Sequence, residues 1–174
     1  MDHIEGLPDA VLFDRDGTLI RDVPYNGDPA LVEPVPGARE VLDELRSQGV
    51  PLGVVSNQSG IGRGTLTHER VAAVNARVER LLGRFDTWQI CPHRPEDHCP
   101  CRKPKPGLVL AACAALGVRP ERTLLVGDIE ADVEAARSAG AFPVLVPTEV
   151  TLVEEVRRAP HVASDLRSAL AVVL

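Results

Sequence analysis

Lysine occurs only at Lys103 and Lys105 in this 174-residue chain, and aromatic residues make up just 3% of it. One Trp, one Tyr and three Phe provide no set of rings on which unpaired bases could stack. The net charge of -6 likewise lacks the basic face that a polyphosphate backbone requires, which argues against a nucleic-acid partner. No apolar run approaches the length of a bilayer, so no membrane partner is expected. The opening MDHIEGLPDA sets acidic residues and a Pro ahead of any hydrophobic stretch, the reverse of a secretion signal. The expected location is therefore the cytoplasm, where four cysteines serve as ligands or core residues rather than as disulfides. Internal repeats, low-complexity tracts and large exposed apolar segments are also missing, and the expectation is a monomer.

What is present fits a single domain over residues 1–174: 44% hydrophobic and 25% charged residues, with an aliphatic core. Short, nearly continuous apolar segments at 10–13, 52–55, 88–90, 123–126 and 143–146 have the pattern of strands buried on both faces. Amphipathic stretches alternate with them. Ala38, Val41, Leu42 and Leu45 share one helical face, Val71, Val74, Val78, Leu81 and Leu82 another, and Val109, Ala112, Cys113 and Leu116 a third. Gly49, Gly83, Gly117 and Gly140 stand where left-handed C-caps would end helices. This alternation predicts an α/β fold, a doubly wound parallel sheet whose ligands bind beyond the carboxyl ends of the strands.

The polar residues at those ends carry the chemistry. The first strand runs into Asp14-Arg15-Asp16-Gly17-Thr18, the second into Ser56-Asn57-Gln58, and the fourth into Gly127-Asp128. Asp14 and Asp16, two residues apart, can turn toward the same side, and Gly17 lets the chain turn away. Carboxylates beside a phosphate require a cation, and their hard oxygens suit Mg²⁺. Ser56 offers a hydroxyl and Lys103 a compact ammonium, which complete a set able to hold a transferring phosphoryl group. Taken singly, each has a plainer reading: an acidic turn, a strand terminus, or Asp128 as the N-cap of a helix starting near Glu130. Asp132, one turn further on, either reaches the same ion or favours the helix N-terminus; the expectation is that Asp128 binds directly and Asp132 supports it.

Cys91-Pro92-His93 and Cys99-Pro100-Cys101 place three thiols and an imidazole in a proline-broken stretch that cannot be a helix. Tetrahedral Zn²⁺ is satisfied by this set, Cys91, His93, Cys99 and Cys101, in a loop over 91–101 after the third strand. With every position filled by protein, such a zinc is structural, and His98 sits awkwardly for a fifth donor. The plainer alternative is a surface loop of reduced thiols. Cys113 lies on an apolar helical face and reads as core. The loop delivers Arg102 and Lys103, whereas Lys105 reads as a solvated cation.

With these residues in place, the sequence resembles the haloacid dehalogenase superfamily of phosphohydrolases, whose four motifs match Asp14-x-Asp16-Gly17-Thr18, Ser56, Lys103 and Gly127-Asp128 in order. The resemblance implies that Asp14 is a nucleophile forming an aspartyl-phosphate and that Asp16 is the general acid and base. It further implies Mg²⁺ on the carboxylates of Asp14 and Asp128 and the backbone carbonyl of Asp16, with Ser56 and Lys103 on the phosphoryl oxygens. Cys91-x-His93, Cys99-x-Cys101-Arg102-Lys103-Pro104 and Asn57-Gln58-Ser59-Gly60-Ile61 are similar to the zinc-loop branch, which contains D-glycero-D-manno-heptose 1,7-bisphosphate 7-phosphatases and histidinol-phosphate phosphatases. The stretch from Ser56 to Gly64 is closer to the heptose subgroup. By analogy, Asp22, Val23, Pro24, Tyr25, Asn57, Gln58, Ser59 and Arg102 contact substrate. Ile129 departs from the pattern, standing where heptose enzymes commonly carry a basic residue. No insertion long enough for a large cap domain interrupts the chain. The expected activity is Mg²⁺-dependent phosphate release from a small phosphorylated sugar or amino alcohol: first the heptose bisphosphate, then histidinol phosphate, then a nucleic-acid 3′ end. A zinc-stabilised interaction module ranks last, because every chemical residue is present.

Overall fold

The computed structural model describes residues 4–172. Strands β1 (Ala10–Phe13), β2 (Leu52–Asn57), β3 (Thr87–Cys91), β4 (Thr123–Gly127) and β5 (Phe142–Leu145) form a parallel sheet in the order β3-β2-β1-β4-β5. Phe13 lies opposite Val54 on one side and Val126 on the other, so β1 is the central strand and its end is flanked by the ends of β2 and β4. Every residue of β1, β4 and β5 is buried, which explains why these segments read as unbroken apolar runs.

Two helical layers cover the sheet. Val11, Phe13, Val54 and Val126 pack with α1 (Ala38–Ser47), α2 (His68–Leu82) and α6 (Leu166–Ala171), while Leu12, Val55 and Leu125 pack with α3 (Gly107–Leu116) and α4 (Glu130–Ala139). A short helix, α5 (Val153–Arg158), follows β5. At roughly 1.5–3 kcal/mol for each fully buried Leu, Val or Phe, these two aliphatic layers supply the stabilisation that aromatic residues often provide. Thr67 caps α2 by accepting from the Arg70 amide, and the left-handed residues Gly117 and Gly140 end α3 and α4 as the sequence predicts. Gly83 differs: its φ is positive, but ψ of 170° is extended, so the chain leaves α2 directly toward β3 without a left-handed cap.

Strands β2 and β3 run further than their apolar cores. Asn57 pairs with Cys91 at their ends, which sets the Cys/His segment beside the polar end of β2. The crossover through α1 covers one face and the crossover through α3 the other, so the strand order reverses between β1 and β4 and opens the crevice into which Asp14 projects. No described helix is long and apolar enough to cross a membrane.

Candidate active site

Asp14 extends the sheet by one residue, its amide donating to the Val126 carbonyl at 3.0 Å. The chain then turns at Gly17, whose φ of 84° and contact with the Asp128 carboxylate leave no space for a side chain. Gly127 plays the same part for Asp132, whose carboxyl group occupies the volume a Cβ would need. The two glycines thus let two acids from β4 and α4 close on the end of β1.

Lys103 joins them. Its ammonium donates to Asp14 Oδ1 at 2.9 Å, to Asp132 Oδ1 at 2.6 Å and to the Val55 carbonyl at 2.8 Å, which engages all three protons. Asp132 Oδ2 accepts from the amides of Asp128 and Ile129 at 3.1 and 3.2 Å. Asp132 is therefore the group that caps α4, with Ile129 at the N-cap position, and Asp128 is released from that duty. The Thr18 hydroxyl approaches Asp128 Oδ1 at 3.5 Å.

Oxygens of Asp14, Asp128 and Asp132 all lie within 4.8 Å of one another. Three buried carboxylates face one ammonium, so two negative charges are uncompensated. Burial first, then the neighbouring carboxylates, raise Asp14 to about 6 against the pull of Lys103, and raise Asp128 to about 9. Burial alone would depress Lys103, but Asp132 and Asp14 outweigh it and hold the ammonium above the usual lysine range. A hard divalent cation fits this donor set in both charge and oxygen chemistry. Replacing the ammonium tests the balance: Lys103→Met is expected to destabilise the fold by about 3–5 kcal/mol, because it strands buried charge. Adding Asp132→Asn should recover much of that loss in denaturant melts without restoring phosphate release. Equal stability of Lys103→Met and the parent would contradict the arrangement.

Asp16 sits outside this triad. Arg15, 1% exposed, forks onto it, Nε to Oδ1 and Nη2 to Oδ2 both at 3.1 Å, and its Nη1 donates to Asn75 Oδ1 of α2 at 2.8 Å. Gln58 Nε2 donates both to Asp16 Oδ2 at 2.8 Å and to Ser56 Oγ at 2.9 Å. Ser56 accordingly lies behind Gln58, 1% exposed and not among the residues lining the cavity, and it keeps its own hydroxyl proton to donate.

A cavity of about 370 Å³ opens above these groups. Asp22, Val23, Pro24 and Tyr25 line one wall, Asn57, Gln58 and Ser59 a second, and Arg102 a third, so all eight residues assigned by analogy to substrate contact face it. Two of them have other work. Asn57 donates to the Lys103 carbonyl at 3.1 Å and accepts from its amide at 3.0 Å, so it clamps the lysine loop. Gln58 bridges Ser56 and Asp16. Of the cations lining the cavity, Arg15 and Lys103 are ion-paired, whereas the Arg102 guanidinium makes only a 3.4 Å bond to the His93 carbonyl. Ile129 and Val150 add apolar lining.

Beside the cavity, His93 Nδ1 lies 3.4 Å from Cys91 Sγ and 3.3 Å from Cys101 Sγ, and the three sulfurs are 3.1–3.6 Å apart. Four donors so close, on a loop with a single turn of 3₁₀ helix at Pro95–Asp97, form the corners of one small tetrahedron and match a metal centre of the Cys₃His type. Burial raises the Cys91 thiol to about 12, while the amides of Arg102 and Cys101 overcome burial to lower Cys99 to about 6. His98 is exposed and takes no part. Lys105 is not merely solvated: it donates to the Cys99 carbonyl at 2.8 Å and braces the loop. Cys113 is buried against Thr123 in the core, as its helical face predicts.

Arg15 as a clamp is not legible in the sequence, since it stands between two acids, and neither is Asn75, a polar residue in a helical run. Only the i, i+4 spacing of Asp128 and Asp132 signalled a shared task.

Fold and site together define a hydrolase: the chain belongs to the haloacid dehalogenase-like hydrolases, whose family model matches residues 25–140. That match begins after Asp14 and Asp16. Among its relatives, the D-glycero-β-D-manno-heptose-1,7-bisphosphate 7-phosphatase of Pseudomonas putida is 34% identical over 168 residues, 90% of this chain and 94% of its own. The protein of the same name from Pseudomonas aeruginosa is 37% identical over 143 residues, 79% of this chain and 80% of its own. A crystal structure of D,D-heptose 1,7-bisphosphate phosphatase from B. bronchiseptica, complexed with magnesium and phosphate, superposes with a TM-score of 0.82 at 27% identity, covering 93% of this chain and 97% of that one.

Proposed function

We propose that this chain, acting as one catalytic domain, removes the 7-phosphate of D-glycero-β-D-manno-heptose 1,7-bisphosphate through an aspartyl-phosphate on Asp14. The observation that carries the reading is the convergence of Asp14, Lys103, Asp128 and Asp132 in one buried cluster, beneath a cavity of sugar-phosphate size. The names of the relatives at 34 and 37% identity support the substrate and its anomer.

Asp14 attacks phosphorus, the bond from phosphorus to the C7 oxygen breaks, and the departing oxygen takes the proton of the Asp16 carboxyl group. A water then attacks the acyl phosphate and gives its proton to Asp16, and the bond between phosphorus and Asp14 breaks to release inorganic phosphate. Mg²⁺, held by the carboxylates of Asp14 and Asp128 and the backbone carbonyl of Asp16, supplies the positive charge that lets a carboxylate meet a phosphate. Lys103 has no proton to spare and stabilises the phosphoryl oxygens by its charge, while Ser56 donates its free hydroxyl proton. Asp132 holds Lys103 in place. Cys91, His93, Cys99 and Cys101 bind a structural Zn²⁺ that fixes the segment leading to Arg102 and Lys103. Arg102 forks onto the second phosphate, a task suited to its planar donors.

Ile129 and Val150 favour a second reading. They leave one cavity wall without positive charge, which suits a monophosphate such as histidinol phosphate. A phosphate-release panel separates the two, comparing both heptose bisphosphate anomers, histidinol phosphate and a 3′-phosphorylated oligonucleotide. The β anomer is expected to give the highest kcat/KM by at least about tenfold, equivalent to about 1.4 kcal/mol. Preference for histidinol phosphate would replace the heptose assignment, and preference for the oligonucleotide would overturn both.

A further inference from the structure

Arg15 is the largest fully buried side chain among the described residues, yet the proposed reaction gives it no task. Burying a guanidinium is costly unless its donors are paired, and here its pairing has a direction. Two of its nitrogens form a planar fork with the Asp16 carboxylate, and the third is tied to Asn75 on α2. From the opposite side, Gln58 holds Asp16 Oδ2. Asp16 itself is a quarter exposed and lies at the cavity edge, on a turn after β1, where nothing else in its own loop would fix its rotamer. A fork defines the plane of a carboxylate as well as its position, which a lysine's point charge cannot do.

We infer that Arg15, braced by Asn75, is a positioning residue that sets the orientation of the Asp16 carboxyl group for proton transfer. Its guanidinium acts through Asp16 and makes no bond to the carboxylates of Asp14, Asp128 or Asp132; only its backbone amide reaches Asp14, donating to Oδ1 at 2.8 Å. The inference rests on the proposed reaction, since it presupposes that Asp16 is the acid and base. It adds a connection from α2 to the chemistry: Asn75 aims Arg15, and Arg15 aims Asp16.

The test separates proton transfer from nucleophilic attack. With p-nitrophenyl phosphate and enzyme in excess, nitrophenol release reads the first step, in which a good leaving group needs no acid, and phosphate release reads the second, in which water needs a base. For Arg15→Met, nitrophenol release should stay within about threefold of the parent while phosphate release slows by about 100-fold, the range typical of general acid-base catalysis. With heptose bisphosphate, whose leaving group is an alkoxide, the first step should slow as well. Arg15→Lys should resemble Arg15→Met, because an ammonium cannot fork. Asn75→Ala should show the same split, reduced to about tenfold, and it keeps the inference testable if Arg15→Met fails to fold. Slowing of nitrophenol and phosphate release by the same factor in a folded variant would mean that Arg15 only supports the loop carrying Asp14, and an unaltered second step would remove it from the reaction; either overturns the inference. A parent enzyme that hydrolyses no phosphomonoester fails the proposed function itself, a result distinguishable from both.

Discussion

Asp14→Asn is expected to reduce phosphate release by at least about 10⁴-fold, in line with the loss seen when a covalent nucleophile is removed. An amide oxygen is too poor a nucleophile to open the phosphate ester, and two neighbouring carboxylates are already engaged, Asp132 by Lys103 and two backbone amides and Asp16 by Arg15 and Gln58. The fold should survive. Asn keeps an oxygen to accept from Lys103 and from the Arg15 amide, the two bonds that Asp14 Oδ1 makes. In buffer free of divalent cations the variant should melt above the parent. Folding raises Asp14 from 3.8 to about 6, so its contribution to stability is fully present below pH 4 and is lost as pH rises through about 6. At neutral pH the charged side chain therefore destabilises the metal-free fold, and removing that charge relieves the cost of its burial and its repulsion with Asp132 and Asp16. Calorimetry with and without Mg²⁺ checks this: the ion should stabilise the parent more than the variant. An Asp14→Asn protein that turns over at a tenth of the parental rate would remove the nucleophile assignment.

Loss of the proposed zinc should act on stability and catalysis together. The 91–101 loop contributes two buried cysteines to the core, its other residues are half-buried or exposed, and apart from hydrogen bonds from Gln58, Gly62, Lys105 and Gly107 it is its four ligands that order it. Structural zinc supplies ~10 kcal/mol or more in small folds, and losing even about a third of that lowers Tm by roughly 10 °C in a protein of this size. Cys101→Ala should therefore cost about this much and should misplace Lys103, whose backbone is clamped to Asn57 only two residues downstream of the last ligand. Cys113→Ala, in the core, should leave phosphate release intact. Stoichiometric zinc is expected in protein purified without chelators; clean protein that lacks it, with full activity, would contradict the loop's role.

Much of this molecule is legible in its sequence. Unbroken apolar runs identify the buried parallel strands, because a strand covered on both faces can carry no polar alternation, and the helical faces follow from period 3.6. The acids at the ends of β1 and β4 stand out because parallel strands deliver their carboxyl ends to one edge, and Lys103 stands out because lysine is so scarce. Less legible were the residues whose work is to hold others. Asn57 and Gln58 look like substrate ligands in the sequence, yet each has both ends of its amide or both its donors spent on protein groups. The plainer alternative for Asp128, a helix cap, falls instead to Asp132. These cases share a cause: a hydrogen-bond acceptor can be assigned from sequence, but its partner depends on which loop reaches it first in space. Arg15 is the extreme case, because a charged residue between two acids reads as solvent-facing until α2 is seen to bury it.

The central claim is a covalent phosphoryl-enzyme on one named side chain. The most direct measurement is an acid-quenched single turnover with heptose bisphosphate, followed by mass spectrometry of the peptides. The account predicts one phosphoryl group on the peptide containing Asp14, absent from Asp14→Asn and lost from the parent as phosphate appears. Phosphate release with no labelled aspartate at any quench time, or with the label on another residue, would contradict it.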